Sequence, residues 1–185
     1  MRKHSIRHNW LAAASALLLT AATAQPLLAD DACKMVGDAT SKIVFTPVHM
    51  YMTEVAGFRK NQPKNSETIY TGGANGAIYI MVDGKWTRSR LTSGEMKGSR
   101  DEAGATSKQT CRYLRDEPVN GESAGVYSTH EETEAGKVDS TVWISKTRNL
   151  PLKSETDLDV GGAMGKSHTV VRYDYSNVQP PSGVK

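Results

Sequence analysis

From residue 48 onward, apolar and polar residues alternate with a period of two through most of the chain, and helical spacing occurs once, just before that point. Within Asp31–Val44, the residues Cys33, Val36, Ala39 and Ile43 recur at helical spacing with Lys42 near the end, which predicts one short helix. Pro47 forbids its continuation. In PVHMYMTEV, Val48, Met50 and Met52 point one way and His49, Tyr51 and Thr53 the other, as on a strand. Gly57–Ser66 is polar, contains Pro63 and reads as a loop. AIYIMV (77–82) and KWTRSRL (85–91) then flank Asp83-Gly84, a strong short-range hairpin signal. Thr92–Thr106, rich in Gly, Ser and charge, reads as a mobile loop. The segments 109–116, 124–132, 137–145, 150–158 and 168–176 alternate again, each bounded by turn chemistry such as Asn120-Gly121, Arg148-Asn149 or Gly161-Gly162. Short strands at this spacing predict an antiparallel meander and not βαβ units. Residues 182–185 close a proline-rich tail and are expected to fray.

The N-terminus changes the picture of where the protein works. Met1–Trp10 carries Arg2, Lys3 and Arg7 and no acid, and LAAASALLLTAA (11–22) follows. Small-residue sites stand after it, Ala22-Thr23-Ala24 and Leu27-Leu28-Ala29. This is the pattern of a secretory signal peptide over residues 1–29, cleaved after Ala24 or Ala29. The apolar run is too short for a bilayer, which needs about 20 residues, so export is expected without a transmembrane anchor. A single domain is expected over 30–181. Removing Arg2, Lys3 and Arg7 from the 23 basic residues leaves 20, matching the 20 acidic ones. A mature chain so balanced, with both signs interspersed, lacks the basic stripe of a nucleic-acid binder.

Cys33 and Cys111 are the two cysteines. In an oxidising compartment an isolated pair is expected to form a disulfide, the alternative being two separate buried thiols. His49, His130 and His168 are isolated from one another, with no C-x-x-C or H-x-x-x-H spacing, so neither a metal nor a cofactor is expected.

Two motif-like stretches need context. VGGAMGKSHTVVRYDY (160–175) contains Gly-Lys-Ser, yet only three residues separate Gly161 from Gly165 and a β-branched strand pattern follows. A phosphate-binding loop needs four residues there and a helix after it, so no nucleotide is expected. GESAG (121–125) fits G-x-S-x-G literally, but a turn precedes it and a strand follows, whereas a nucleophile elbow joins a strand to a helix. No catalytic role is therefore assigned to Ser123, and no enzyme is expected.

The C-terminal half carries Trp143-Ile144, then Asn149-Leu150-Pro151-Leu152-Lys153, then Tyr173-Asp174-Tyr175 running into Ser176-Asn177-Val178. In this order and spacing the stretch resembles the periplasmic lipoprotein-carrier superfamily, which includes the outer-membrane lipoprotein carrier and its lipoprotein receptor. The resemblance implies a mainly β (α+β) fold: a strongly curved antiparallel sheet or unclosed β-barrel with one or two helices on the concave side. It also implies an apolar hollow that accepts acyl chains. On this reading Val48, Met50, Met52, Ile78, Ile80, Trp86 and Trp143 are the candidate ligand-binding residues, the plain alternative being that they are core. The expected function is non-catalytic binding of a lipid, acyl chain or lipidated protein in the periplasm. The alternative is a protein–protein interaction or envelope-stress module with a filled core and an envelope protein as partner.

Overall fold

The structure is a computed structural model and describes residues 29–57, 63–104, 108–133, 136–162 and 165–184. The expected signal peptide therefore lies, up to residue 28, outside the described residues. Among these residues the chain forms helix α1 (Ala29–Ile43), strands β1 (Val48–Ala56), β2 (Lys64–Tyr70), β3 (Ile78–Val82) and β4 (Lys85–Arg88), and helix α2 (Ser93–Gly104). Strands β5 (Lys108–Val119), β6 (Glu122–Thr133), β7 (Gly136–Ser145), β8 (Pro151–Asp159) and β9 (Lys166–Asp174) follow.

All nine strands join one antiparallel sheet in the order β4-β3-β2-β1-β9-β8-β7-β6-β5. It consists of two meanders, β1–β4 and β5–β9, joined where β9 pairs with β1. β4 and β5 remain as edges, so the sheet is unclosed. The tight hairpins obey local chemistry. Asp83-Gly84 and Asn120-Gly121 both have positive φ at each central residue (49° and 74°, 51° and 82°), the geometry of a type I′ turn.

α1 packs on the inner face of the sheet. Its small residues Ala32, Val36 and Ala39 lie one above another at helical spacing and form one buried cluster with Cys111, Tyr127, Val142 and Ile144. At its other end Ile43 and Val44 join Val48, Tyr70 and Ile78. β3 and β5 stand seven places apart in the strand order, which in a flat sheet is about 34 Å. The helical stretch that reaches from Cys33 to Val44 is only about 16 Å long. The sheet must curl around α1 for both ends to touch it.

The Cys33–Cys111 disulfide fixes the start of α1 to edge strand β5, across 78 residues of sequence, with Cα atoms 5.0 Å apart. A third cluster, Ala124, Val126, Trp143 and Leu152, lies on the outer face, since Val126 and Trp143 are register partners. It is clasped by Tyr175, whose hydroxyl donates to the Pro151 carbonyl at 2.7 Å.

Two elements differ from the sequence expectation. β2 begins inside the stretch read as a loop, because its exposed polar residues are matched to those of β1: Thr53 donates to Asn65 at 2.9 Å and His49 meets Glu67 at 2.8 Å. Thr92–Thr106 is not simply a loop, because α2 starts there on a reciprocal cap. The Thr92 N–H and hydroxyl donate to Glu95 at 2.7 and 2.8 Å, and the Glu95 N–H returns to the Thr92 hydroxyl at 3.4 Å.

Candidate functional site

Cross-strand register sorts every strand residue onto one of two faces. Met50 stands between Thr68 on β2 and Tyr173 on β9, and Met52 between Ser66 and Val171. Ile80 pairs with Thr68, and Ile78 with Tyr70, which in turn pairs with Val48. Val48, Met50, Met52, Ile78 and Ile80 thus share the inner face.

Within that face the environment changes from one end to the other. Val48 (0% exposed) and Ile78 (1%) are sealed under the end of α1. Met50, Ile80 and Tyr173 are only half-buried; they pack against the rim of that cluster, as does Met96, itself half-buried, from the first turn of α2. Met52 is half-buried beside them. The result is a half-buried floor of Met50, Met52, Ile80 and Tyr173 on the inner face, beside the cluster against which Met96 of α2 packs. Methionines are unbranched and polarisable and adapt to irregular apolar partners. The cap that starts α2 is electrostatically sound: the Thr92 backbone N–H, then its hydroxyl, hold the Glu95 carboxyl below its ordinary range.

The two tryptophans stand elsewhere. Trp86 pairs with Met81 and packs edge-on against His49, ring centroids 5.8 Å apart, on the outer face. Trp143 is buried in the outer cluster, with the Lys153 ammonium 4.4 Å from its ring centroid. The seven candidates therefore divide into five on the hollow side and two on the opposite surface. Tyr173 joins the floor, and Met96 of α2 packs beside it, without either having been singled out as lining. The signal for Met96 was present in Thr92-x-x-Glu95, which starts a helix immediately before it.

The other chemical candidates resolve as follows. Ser123 lies on β6 opposite Pro118, with strand continuing after it. His130 is seven residues further along the same strand, about 23 Å away. Lys166 and Ser167 open β9, and Lys166 pairs with Asp159 at 3.2 Å. Each described histidine meets a carboxylate across the sheet: His49 with Glu67, His130 with Asp139, His168 with Asp157. Among the described residues no group of His, Cys, Asp and Glu is arranged to hold a metal ion, and no helix is long and apolar enough to cross a membrane.

No protein-family model matches the chain, and neither does any curated protein. Several solved structures resemble the chain at low identity. A crystal structure of MucB shares 10% identity at a TM-score of 0.47, covering 83% of this chain and 64% of that one. The MucA/MucB complex of Pseudomonas aeruginosa shares 12% at 0.46, covering 82% and 59%. The chain thus spans under two thirds of the MucB structures it matches. A LolA superfamily protein from Nitrosomonas europaea shares 12% at a TM-score of 0.31, covering 80% of this chain and 92% of that one. A putative outer membrane lipoprotein-sorting protein domain from Vibrio parahaemolyticus shares 10% at 0.32, covering 85% and 95%.

Proposed function

We propose that this chain is an exported, non-catalytic periplasmic protein that binds a lipid, an acyl chain or a lipidated protein in the hollow beside α2. The observation that carries the reading is the half-buried floor of Met50, Met52, Ile80 and Tyr173, set in the same face whose other end is sealed by α1. An acyl chain laid on that floor gains about 0.8 kcal/mol for each buried methylene. No cofactor takes part. The exported form begins at Gln25 or Asp30.

A second reading, a protein-interaction module, is favoured by one observation. Register sets Ser66 and Thr68 among the methionines and continues the inner face past them into Ser140, Ser154, Thr156 and Thr169. Some of these hydroxyls pair among themselves, Ser140 with Thr156 at 3.0 Å. A hydroxyl-lined extension suits a peptide segment, whose backbone it can hydrogen-bond, better than a hydrocarbon.

Native mass spectrometry on protein isolated gently from the periplasm separates the two. Adducts spaced by methylene units support the acyl reading. A bare mass, together with no uptake of a fluorescent palmitoyl probe, sinks it and leaves the interaction module. The same spectrum gives the cleavage site.

A further inference from the structure

On the outer face, opposite the hollow, β1, β2, β4 and the segment after β9 enclose a cleft of about 490 Å³. Its chemistry is unlike that of the hollow. Ile69, 4% exposed, lies at its base. Aromatic rings form its walls: His49 and Tyr51 stack with centroids 4.1 Å apart, and Trp86 meets His49 edge-on. Two carboxylates, Glu67 and Asp174, reach the same space, and the tail segment Ser176–Ser182 supplies the remaining wall. No lysine or arginine is among the described residues that line it.

Among the described lining residues the two carboxylates face no lysine or arginine, and the one basic side chain beside them is the His49 imidazole. His49 Nε2 lies 2.8 Å from Glu67 Oε2, so this nitrogen carries a proton. His49 Nδ1 lies 3.1 Å from the Tyr51 hydroxyl. Tyr51, His49 and Glu67 are thus linked in one chain of hydrogen bonds along the wall, with Asp174 beside it. Asp174 Oδ1 is held in place by the Ser176 N–H and hydroxyl, at 2.8 and 2.5 Å. Burial first, and then the fields of Asp174 and Glu67, push the Tyr51 phenol above its ordinary value, which places both charges close to that ring. Arg172, the register partner of Tyr51 on β9, lines a neighbouring cleft with Trp143 and not this one.

Aromatic faces attract cations through their quadrupole, Trp most strongly, and carboxylates add direct attraction. We infer that this outer cleft binds an alkylammonium group, with Trp86 and Tyr51 as the aromatic walls and Glu67 and Asp174 as the counter-charges. The group has two natural sources, a lysine side chain of a partner or a quaternary ammonium such as choline. The site is independent of the acyl reading, because it lies on the other face of the sheet.

The test is a ¹H–¹⁵N NMR titration of the exported protein with tetramethylammonium, choline, N-acetyl-lysine methylamide and the neutral isostere 3,3-dimethylbutan-1-ol. The Trp86 indole resonance, identified by its loss in Trp86→Phe, is followed against that of Trp143. The expected result is a saturable shift at Trp86 with the cations, none with the neutral alcohol, and an unmoved Trp143. Glu67→Gln is expected to weaken binding roughly threefold or more. Tighter binding of the lysine derivative assigns the source to a protein side chain, and tighter binding of choline to a quaternary ammonium; both support the site. No saturable shift with any cation, an equal response to the alcohol, or undiminished binding in a folded Glu67→Gln variant overturns it.

Discussion

Under α1, Ala32 and Ala39 are both 0% exposed and Ile144 is 2% exposed, so side chains fill the space between helix and sheet. Further along, the same face of the same sheet presents Met50, Met52 and Ile80 half-buried, and Met96 of α2 packs against the same cluster as Met50 and Ile80. The two helices explain the difference. α1 is amphipathic and is tied covalently to β5. α2 is spelled SGEMKGSRDEAG, with glycines at 94, 98 and 104, and it is positioned by its cap and by backbone bonds of Ser93 and Gly94 to Gly76 and Ala74. Glycine inside a helix costs about 1 kcal/mol relative to alanine, so α2 carries little intrinsic preference for its own conformation. One half of the inner face is built to be stable. The other is built with weak local structure, as segments that must move for a ligand usually are.

The largest test of this contrast is the covalent tie. Closing a 78-residue separation stabilises the folded state by roughly 4–5 kcal/mol in the chain-entropy account. Cys33→Ser with Cys111→Ala should lower the urea midpoint by a corresponding amount, measured with and without reductant on the parent protein. In conditions where the variant stays folded, palmitoyl-probe uptake should be kept. A loss below about 1 kcal/mol would mean that packing of Ala32, Val36 and Ala39 alone secures α1.

Side-chain truncation sharpens the comparison. Ile144→Ala in the sealed half should cost about 2–5 kcal/mol through lost burial and a cavity. Met52→Ala in the half-buried floor should cost much less in a urea melt and instead weaken uptake of the palmitoyl probe. Equal stability losses at the two positions would show that the floor is ordinary core.

How much of this contrast was legible in the sequence depends on what each element takes its order from. α1, the Asp83-Gly84 hairpin and β5 to β9 carry their own period or turn chemistry, and they stand within a few residues of where the sequence places them. β2 does not: Ser66 and Thr68 make its inner face as polar as its outer one, so alternation is invisible until β1 supplies partners. α2 was hidden because its glycines dilute the helical pattern, although its capping box was written in four residues. The tryptophans show a different limit. Alternation tells which residues of one strand share a side, but only register across strands tells which side is the hollow. Trp143 sits between Val142 and Ile144 in sequence and faces away from both; Trp86 follows Met81 to the outer face.

Acid probes the clasp that closes the strand ends of the sealed half. Glu122 at the start of β6 accepts from the Arg148 guanidinium and from the hydroxyls of Ser145 and Thr147, and Arg148 also lies over the Tyr175 ring at 4.9 Å. Chiefly through Arg148, the carboxyl is lowered to about 2. A carboxyl whose folded value is depressed contributes stability that is present above its unfolded value and is lost as pH falls through the folded one. The window runs from about pH 4.5 down to about pH 2, and the contribution is at most about 3 kcal/mol before solvent screening. Glu122→Gln should flatten the acid limb of a stability-versus-pH curve over that window. An unchanged limb would place the acid sensitivity in other carboxylates.

The smallest expected change in stability bears most directly on the open half. Gly98 lies within α2, and a Cβ built there meets nothing within 4 Å. Gly98→Ala should therefore add helix preference without a clash, about 1 kcal/mol locally, while moving the global urea midpoint little. If α2 must shift to admit an acyl chain, stiffening it should raise amide protection over Ser93–Ser99 and slow uptake of the palmitoyl probe, with the melt almost unchanged. Faster or unaltered uptake, with the amides protected, would mean that the chain enters past a helix that stays in place. The half-buried methionines would then be reached from the hydroxyl-lined end of the hollow, where Ser140, Thr156 and Thr169 stand, and not from the side of α2.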